Sequence, residues 1–588
     1  MPLGKNATNP EIAAAFAQVA SVYELQGKDI FHIRAYQNAA NSISQLATPL
    51  QELWQNDRLD EVPGLGEKFA KYLDELFRTG TIRHFQKVLQ TQPAGFYELL
   101  DIPGVGPKTA QKISRSLHLS RASTALSQVK TALLHNRITG ISEKMSTKLL
   151  AAINRPSADT HRLLINEAEH YAEEVMAYLW QSPATLDCAA LGSLRRKMPT
   201  IGDIDIAVAT TDPAALRTHI KKFPQLKKMV STGNKMTTFL HKSGIQIDIK
   251  TQHPDAWGSM LQHDTGSKLH NIQLRTLAKE QHLSLSEYGI KRRNKITPYA
   301  DETSFYQALG LPYIPPELRE GRGEISAAQN HQLPTLVELS DMRGDLHVHA
   351  QLDFPSSHDM GAHTVAELIA KAQQLQYEYL GISDHNPKQS GLTAKQRFFT
   401  VQQRTQTIKE AVARYARQTK KAMPQILIGL EVDILPNGEL ALEDEALDLL
   451  DYTIVSIHSQ FTQPRATMTK RILTGLAHPQ AKILGHPTGR QLGTRSAIAA
   501  DWPAIFRFCA QHHKFLEINA SPQRLDLPDE LVHMAVDYGV QLVINTDAHA
   551  IDQLDFMQYG VWVARRGWCG PEHLLNTKNW SALRRALS

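Results

Sequence analysis

Six apolar runs toward the C-terminal end of the chain each stop at a side chain able to bind a metal: Asp345-Leu-His347-Val-His349, Tyr379-Leu-Gly-Ile-Ser-Asp384-His385, Ile428-Gly-Leu-Glu431, Ile454-Val-Ser-Ile-His458, Ile483-Leu-Gly-His486 and Leu542-Val-Ile-Asn-Thr-Asp547-Ala-His549. Short β-rich runs alternating with helix-length segments predict a parallel barrel, in which strand C-termini converge on one open face. A single histidine at such a place is as often a satisfied core residue as a ligand. Six runs ending alike point to a shared centre. Imidazole and carboxylate donors suit Mn²⁺, Zn²⁺ or Fe, so the pattern implies a multi-metal hydrolytic site.

A chain of 588 residues exceeds what one core can hold, so several domains are expected. No run reaches the ~20 apolar residues of a membrane span, and Met1-Pro-Leu-Gly-Lys-Asn opens no signal peptide. The three cysteines, Cys188, Cys509 and Cys569, are scattered and form no CxxC. That usage fits a reducing cytoplasm and excludes a thiolate zinc site. The net charge of +5 is unevenly spread: residues 101–150 hold eight Lys/Arg against two Asp/Glu, whereas 341–588 hold 25 against 26. A locally basic N-terminal region suits a polyanion, and nucleic acid is the usual one.

Two N-terminal segments repeat one element: Val62-Pro63-Gly64-Leu65-Gly66 and Ile102-Pro103-Gly104-Val105-Gly106-Pro107-Lys108-Thr109. Paired glycines allow a tight turn that brings free backbone N–H groups to a phosphate at a helix N-terminus. Lys68 and Lys108 follow in the next turn and add charge. This is the helix-hairpin-helix pattern of sequence-independent DNA binding. Ile138-Thr-Gly140-Ile-Ser-Glu-Lys144 is a weaker third candidate.

In the middle of the chain, Gly202-Asp203-Ile204-Asp205-Ile206-Ala207-Val208 reads as a strand with Asp203 and Asp205 on one face. Ile245-Gln-Ile247-Asp248-Ile249 supplies a third acid on a second strand. Same-face acids repel unless a cation lies between them. Three of them would hold two Mg²⁺ (or Mn²⁺) ions for phosphoryl transfer. Gly192-Ser193 and the arginines after it would bind a triphosphate.

In this order the segments resemble a family X, polymerase-β-like DNA polymerase over about residues 10–320, fused to a PHP phosphoesterase domain over about 341–588. Phe31-His32-Ile33-Arg34-Ala35-Tyr36 is similar to the family's DNA-end-binding helices, and Thr265-Gly266-Ser267-Lys268-Leu269-His270-Asn271 with Arg275 to its thumb segment. The resemblance implies that Asp203, Asp205 and Asp248 are catalytic, with Asp248 placed to deprotonate the primer 3′-OH. Gly192, Ser193, Arg195, Gly202, Gly266, Asn271 and Arg275 would bind the nucleotide. DNA would be bound by His32, Arg34, Gly64, Gly66, Lys68, Gly104, Gly106 and Lys108. The metal ligands of the PHP part would be His347, His349, His385, Glu431, His458, His486, Asp547 and His549. A further carboxylate would come from Asp353 or Asp359, with Asp359 preferred because Gly361 then aligns best. Asp384 is expected to orient a ligand, and Arg490 and Arg524 to grip the substrate phosphate.

Two departures stand out. The family usually has an aromatic pair before Thr-Gly-Ser, where this chain has His263-Asp264. The Schiff-base lysine of polymerase-β-like lyases falls on Tyr72, with Lys71 beside it, so lyase chemistry by that route is not expected. The implied architecture is a helical end-binding domain (1–90), helical fingers (91–155), an α+β nucleotidyltransferase palm (156–260), a thumb (261–320), a linker (321–340) and a distorted (β/α)7 PHP barrel (341–588). One of its seven strands, Phe515-Leu-Glu-Ile518, ends in Asn519 rather than a histidine. The implied function is short-gap-filling repair synthesis on gapped or nicked DNA with dNTPs, joined to a metal-dependent 3′–5′ exonuclease. A monomeric, nucleoid-associated bacterial protein is expected. The alternative is a PHP nuclease or phosphatase whose polymerase half mainly binds DNA.

Overall fold

The computed structural model describes the chain except for residues 1–2, 6, 45–49, 56, 60–61, 63, 101, 103–104, 120–121, 135–137, 139–145, 147–148, 151–161 and 234. It divides into two compact units, Met1–His161 and Arg162–Ser588.

The first unit is helical: α1 (Asn9–Leu25), α2 (Ile30–Ser44), α3 (Leu50–Gln55), α4 (Glu67–Thr79), α5 (Arg83–Leu89), α6 (Ala94–Leu100), α7 (Pro107–Ser116) and α8 (Ala122–Leu134). The Thr8 N–H and hydroxyl both donate to Glu11 Oε2 at the start of α1, at 2.7 and 2.8 Å. Helix α4 starts after Gly66 and stops at Gly80, which takes the left-handed conformation at φ 83°. Its buried residues Phe69, Leu73, Leu76 and Phe77 recur at helical spacing. Phe16 from α1 meets Phe69 and Phe85 edge-on, with ring centroids 5.2 and 4.8 Å away.

The second unit begins with a palm. Strands β1 (Leu163–Leu164), β2 (Asp187–Ala190), β3 (Thr200–Ile201), β4 (Ile204–Ala209), β5 (Leu226–Thr232), β6 (Met236–His241) and β7 (Gln246–Gln252) include a five-stranded mixed sheet of order β2-β4-β7-β6-β5. Strands β4 and β7 run parallel, with Asp205 opposite Asp248. Ile204, Ile206, Val208, Ile247 and Ile249 are fully buried, as alternation on a one-sided sheet requires. Helices Trp257–Thr265 and Lys268–Glu280 follow, then an antiparallel meander of β8 (Leu283–Ser286), β9 (Gly289–Arg292) and β10 (Lys295–Thr297). The segment 321–340 is packed rather than an open tether. It holds a helix, Glu324–Gln329, whose Glu324, Ile325 and Ala328 are buried.

The rest is a barrel of seven parallel strands in sequential order: β11 (Gly344–Asp345), β12 (Tyr379–Ile382), β13 (Gln425–Asp433), β14 (Tyr452–Ser456), β15 (Ala481–Leu484), β16 (Phe515–Asn519) and β17 (Leu542–Asn545). A parallel bridge between Val348 and Ala548 nearly closes the ring. The inside is filled, not open. Tyr452 lies where any side chain at Gly381 or Gly429 would collide with it, and its hydroxyl donates to the Leu346 carbonyl. The expected fold class, including the strand ending at Asn519, is what the structure has.

Candidate metal centre and nucleotidyl-transfer site

The strand ends of the barrel deliver their side chains to one spot. Glu431, 1% exposed at the end of β13, lies at its middle. Its Oε1 is 2.8 Å from His486 Nε2 and 3.1 Å from His458 Nε2. Its Oε2 is 2.9 Å from His385 Nδ1, 3.2 Å from His347 Nε2 and 3.7 Å from His349 Nε2. Asp547 Oδ1 lies 3.2 Å from His349 Nε2 and 3.5 Å from His347 Nε2. His349 and His549 stack at 4.0 Å. Burial opposes a charge on Glu431, but His385, His458 and His347 outweigh it and hold the carboxyl well below its ordinary range.

His486 Nε2 bonds Glu431 Oε1 and His349 Nε2 bonds Asp547 Oδ1, but other atoms crowd in without bonding. His347 Nε2, His385 Nδ1, His549 Nε2 and Glu431 Oε2 are all buried and have no hydrogen-bond partner. Buried polar atoms left so are costly. Unpartnered buried donors that converge on common points fit divalent ions. Among the described residues, four overlapping groups satisfy ligand spacing: His347/His349/Glu431/Asp547, His349/His385/His549, His358/His385/His458 and Glu431/His458/His486. Asp359 faces them, 3.5 Å from His549 Nε2 and 3.6 Å from His385 Nε2. Asp353 makes no such approach among the described residues.

Outer partners set the imidazoles. His347 Nδ1 bonds Glu517 Oε1 at 2.7 Å, and His458 Nδ1 bonds Asp433 Oδ1 at 2.5 Å. A proton held at Nδ1 turns the Nε2 lone pair to the centre. Asn545 and Asn519 in turn donate to Glu517. Asp384 accepts from Arg404 and from the Ala350 N–H, so it braces the His349 segment. Sequence reasoning missed Glu517, Asp433 and His358. The first two had a readable signal: Glu431-Val-Asp433 repeats with a period of two, and Glu517 is an acid inside an apolar strand. Arg524 Nε stands 3.5 Å from Asp547 Oδ2. Arg490 differs from expectation. Its guanidinium donates to the carbonyls of Arg524 and Leu525 and so supports that loop.

In the palm, the parallel register sets Asp205 beside Asp248, and Asp203 lies exposed just before β4. Asp248 Oδ1 is buried without a partner. Gly192, at φ 56°, passes so close that a Cβ there would stand 3.3 Å from Asp205 Oδ2. Burial raises the Asp205 carboxyl, Lys250 draws it back, and Asp203 and Asp248 push it further up. Three acids under such mutual repulsion, one with an orphaned buried oxygen, also fit divalent cations. Lys250 is shared: its Nζ lies 3.5 Å from Asp205 Oδ1 and 3.4 Å from Asp264 Oδ1. The unusual Asp264 is therefore ion-paired.

Arg195 is engaged inside the protein. Its guanidinium donates to both carboxylate oxygens of Glu302, at 3.1 and 2.5 Å, and to Thr265 Oγ1 at 2.6 Å. Glu302 is buried and needs cationic partners there, and Arg319 supplies the second at 2.6 Å. Asn271 donates to the His263 carbonyl and accepts from Gln262. Ser267 caps the helix Lys268–Glu280 through the His270 N–H. Arg275 is exposed on that helix, and Ser193 and Gly202 flank the acids.

In the helical unit, Gly66 and Gly106 are the N-caps of α4 and α7, and Gly64 takes φ 85°. Gly104 and most of the Ile138–Lys144 candidate lie outside the described residues. Lys108, His32 and Arg34 are exposed. Lys68 Nζ stands 5.7 Å from the Tyr36 ring and 5.9 Å from the Tyr72 ring. Tyr72 stacks on His84 at 5.1 Å. No helix among the described residues is long and apolar enough to cross a membrane.

A histidine–carboxylate centre at the mouth of a parallel barrel, on one chain with a palm presenting three acids, defines a metal-dependent phosphoesterase joined to a polymerase-β-type nucleotidyltransferase. Family comparison agrees. A helix-hairpin-helix domain matches residues 7–82, a SAM-like helix-hairpin-helix tandem 96–155, the DNA polymerase beta thumb 260–320 and the PHP domain 345–521. The DNA polymerase/3'-5' exonuclease PolX of Bacillus subtilis (strain 168) is 31% identical over 581 residues, 97% of each chain. DNA polymerase lambda of Rattus norvegicus is 24% identical over 355 residues, 54% of this chain and 58% of that one. A probable phosphatase of Clostridium acetobutylicum is 27% identical over 214 residues, 35% of this chain and 78% of that protein. The chain belongs to the family X DNA polymerases that carry a C-terminal PHP domain.

Proposed function

We propose that this protein fills short gaps in DNA by template-directed nucleotidyl transfer and trims 3′ ends with a 3′–5′ exonuclease in its barrel. The carrying observation is that one chain presents both centres: Asp205 in register with Asp248, and the convergent cluster around Glu431. The Bacillus subtilis relative, similar over its whole length, bears both activities in its name. The alternative, a nuclease using an inert polymerase half as a clamp, is disfavoured because the three acids and their flanking Gly192-Ser193 turn are all present.

In the palm, Asp203, Asp205 and Asp248 would hold Mg²⁺ or Mn²⁺, and Asp248 Oδ1 would take the proton of the primer 3′-OH. Ser193, the close-packed Gly192 and the Gly202 turn would receive the triphosphate. Asn271 would exchange its present partners for the base edge, and Arg275 would face the template. In the barrel, His347, His349, Asp359, His385, Glu431, His458, His486, Asp547 and His549 would hold Mn²⁺, Zn²⁺ or Fe, with His358 as an added donor. When bound, such ions activate the attacking oxygen and neutralise charge on the phosphoryl group. Arg524 would grip the substrate phosphate beside Asp547. His32, Arg34, Lys68, Lys108 and the hairpins at Gly64–Gly66 and Gly104–Gly106 would hold the DNA backbone. We assign the working divisions as 1–90, 91–155, 156–260, 261–320 and 341–588, in a monomer of the bacterial cytoplasm and nucleoid.

The test is primer extension on a one-nucleotide gap bearing a 5′-phosphate, in Mg²⁺ and in Mn²⁺. His349→Ala removes degradation, and Asp205→Ala is compared in that background. Extension that depends on Asp205 supports the reading. No extension, with primer shortening that depends on His349, overturns its polymerase half.

A further inference from the structure

The helix Met557–Arg566 belongs to the barrel, yet its last residue is committed to the polymerase half. The Arg566 side chain is 1% exposed. Its Nη1 donates to the Arg196 carbonyl at 2.8 Å and to Glu320 Oε1 at 2.9 Å, while Nη2 donates to Asp529 Oδ2 at 2.7 Å. Glu320 Oε1 also accepts from Arg196 Nε at 2.9 Å, and Arg196 Nη1 reaches the Thr265 carbonyl at 2.5 Å. At the next residue, Gly266, a Cβ would stand 3.1 Å from Arg196 Nη1. The Ser267 N–H donates to the carbonyl of Arg319, the residue before Glu320. One flank of the Thr265-Gly266-Ser267 turn therefore rests on Arg196, which Arg566 ties down, and the other on the residue next to Glu320, which Arg566 also holds.

Other contacts keep this helix in register with the palm and thumb. Lys197 Nζ sits 3.6 Å from the Trp562 ring centroid, and Arg565 Nε donates to Glu317 at 2.8 Å. Arg322 binds Asp529 and Glu530 at 2.9 and 2.7 Å. A guanidinium fork fixes direction as well as charge. Buried acids that lose such a partner must move or take up a proton.

We infer that Arg566 is a positioning residue for nucleotide incorporation: through Arg196 and Glu320 it holds the Thr265-Gly266-Ser267 turn, so that a barrel side chain completes the polymerase site. This rests on the reading above that the turn meets the incoming nucleotide. A misplacement of about 1 Å in such a turn can cost up to about a hundredfold in turnover efficiency.

The experiment is single-nucleotide incorporation into a one-nucleotide gap by the full-length chain, comparing wild type with Arg566→Met, Arg566→Lys and Glu320→Gln. The expected result is a KM for the dNTP raised roughly tenfold in Arg566→Met, with kcat within about threefold. Exonuclease rate on single-stranded DNA stays within about twofold, and Arg566→Lys, which keeps the charge but loses the fork, recovers only part of the KM. An unchanged KM in a folded variant overturns the inference, as does a parallel fall of KM-independent turnover and exonuclease activity. Should Arg566→Met not fold, Glu320→Gln and Arg566→Lys decide it, and a wild-type KM in both overturns it. If the wild type incorporates nothing, the polymerase reading has failed. The Arg566 link is then read from the Kd of a fluorescent dATP analogue with Mg²⁺, where equal Kd in wild type and Arg566→Met overturns it.

Discussion

Glu431 and Asp205 are both strand-borne carboxylates at the heart of a site, and their surroundings differ in kind. Five imidazoles stand 2.8–3.7 Å from the Glu431 oxygens, and two of those rings are fixed from behind by Glu517 and Asp433. Asp205 has two other acids beside it and one counter-charge, Lys250, which it shares with Asp264. The barrel centre is complete before anything binds. The palm presents three acids on one side, and on the proposed reading phosphates of the nucleotide would supply the other. On that reading, one site would retain its ions and the other would acquire them with substrate. The sharpest break of this contrast is a pair of isosteric changes. Asp205→Asn is expected to lower extension by at least about a thousandfold, leaving exonuclease untouched. Glu431→Gln is expected to do the converse and to strip metal from the purified protein. Assaying both activities and metal content on each variant checks this, and loss of both activities in either one defeats the separation.

The next effect is on stability. Glu302 is a thumb carboxylate that burial pushes toward neutrality but that Arg319 and Arg195 hold below its ordinary range. A carboxyl lowered on folding contributes stability above its unfolded pKa and loses it as pH falls through the folded value. Glu302→Gln should cost about 3–5 kcal/mol at neutral pH, because two buried guanidinium groups lose their shared partner. Urea unfolding followed from pH 7 downward should show the gap to wild type narrowing in acid. A gap that widened would mean that Glu302 is protonated in the native protein.

Much of the barrel was legible because its signal repeats. Parallel strands buried on both faces read as short apolar runs, and each ends where function needs a donor, so Glu431, His458 and His486 were visible one run at a time. The outer partners were harder to see. Glu517 lies in a strand whose terminal residue is Asn519, and nothing in the sequence says that its carboxylate meets His347, 170 residues away. Arg195 shows the opposite failure. An arginine after Gly-Ser suggests a phosphate, but a buried acid 107 residues on had the stronger claim. Long-range ion pairs leave no local period, which is why the thumb network and the sharing of Lys250 appear only in three dimensions.

Glu517 sharpens the comparison at the next level. It fixes the proton of His347 at Nδ1 and also accepts the His486 N–H at 2.5 Å. Glu517→Gln keeps the shape and removes the charge. It should weaken metal retention by about 10–100-fold, with a matching loss of exonuclease at limiting metal that excess Mn²⁺ restores. Metal competition against a chelating dye measures this directly. Wild-type retention would show the ligands to be held by packing alone.

The smallest effect bears on how the palm acquires its ions. Lys250 stands almost midway between Asp205 and Asp264, at 3.5 and 3.4 Å. With Asp264 made neutral, the ammonium has one carboxylate left to approach, and that carboxylate is the one a cation needs. Asp264→Asn should therefore raise the half-saturating Mg²⁺ concentration for extension by roughly two- to fivefold, the range of a partly exposed ion pair. Its maximal rate at saturating Mg²⁺ should change little, and salt should shrink the difference. A Mg²⁺ titration at fixed dNTP separates the outcomes. A lowered Mg²⁺ requirement would mean that Asp264 repels nucleotide more than it restrains Lys250, and the departure from the family's aromatic residue would then be a burden on the site.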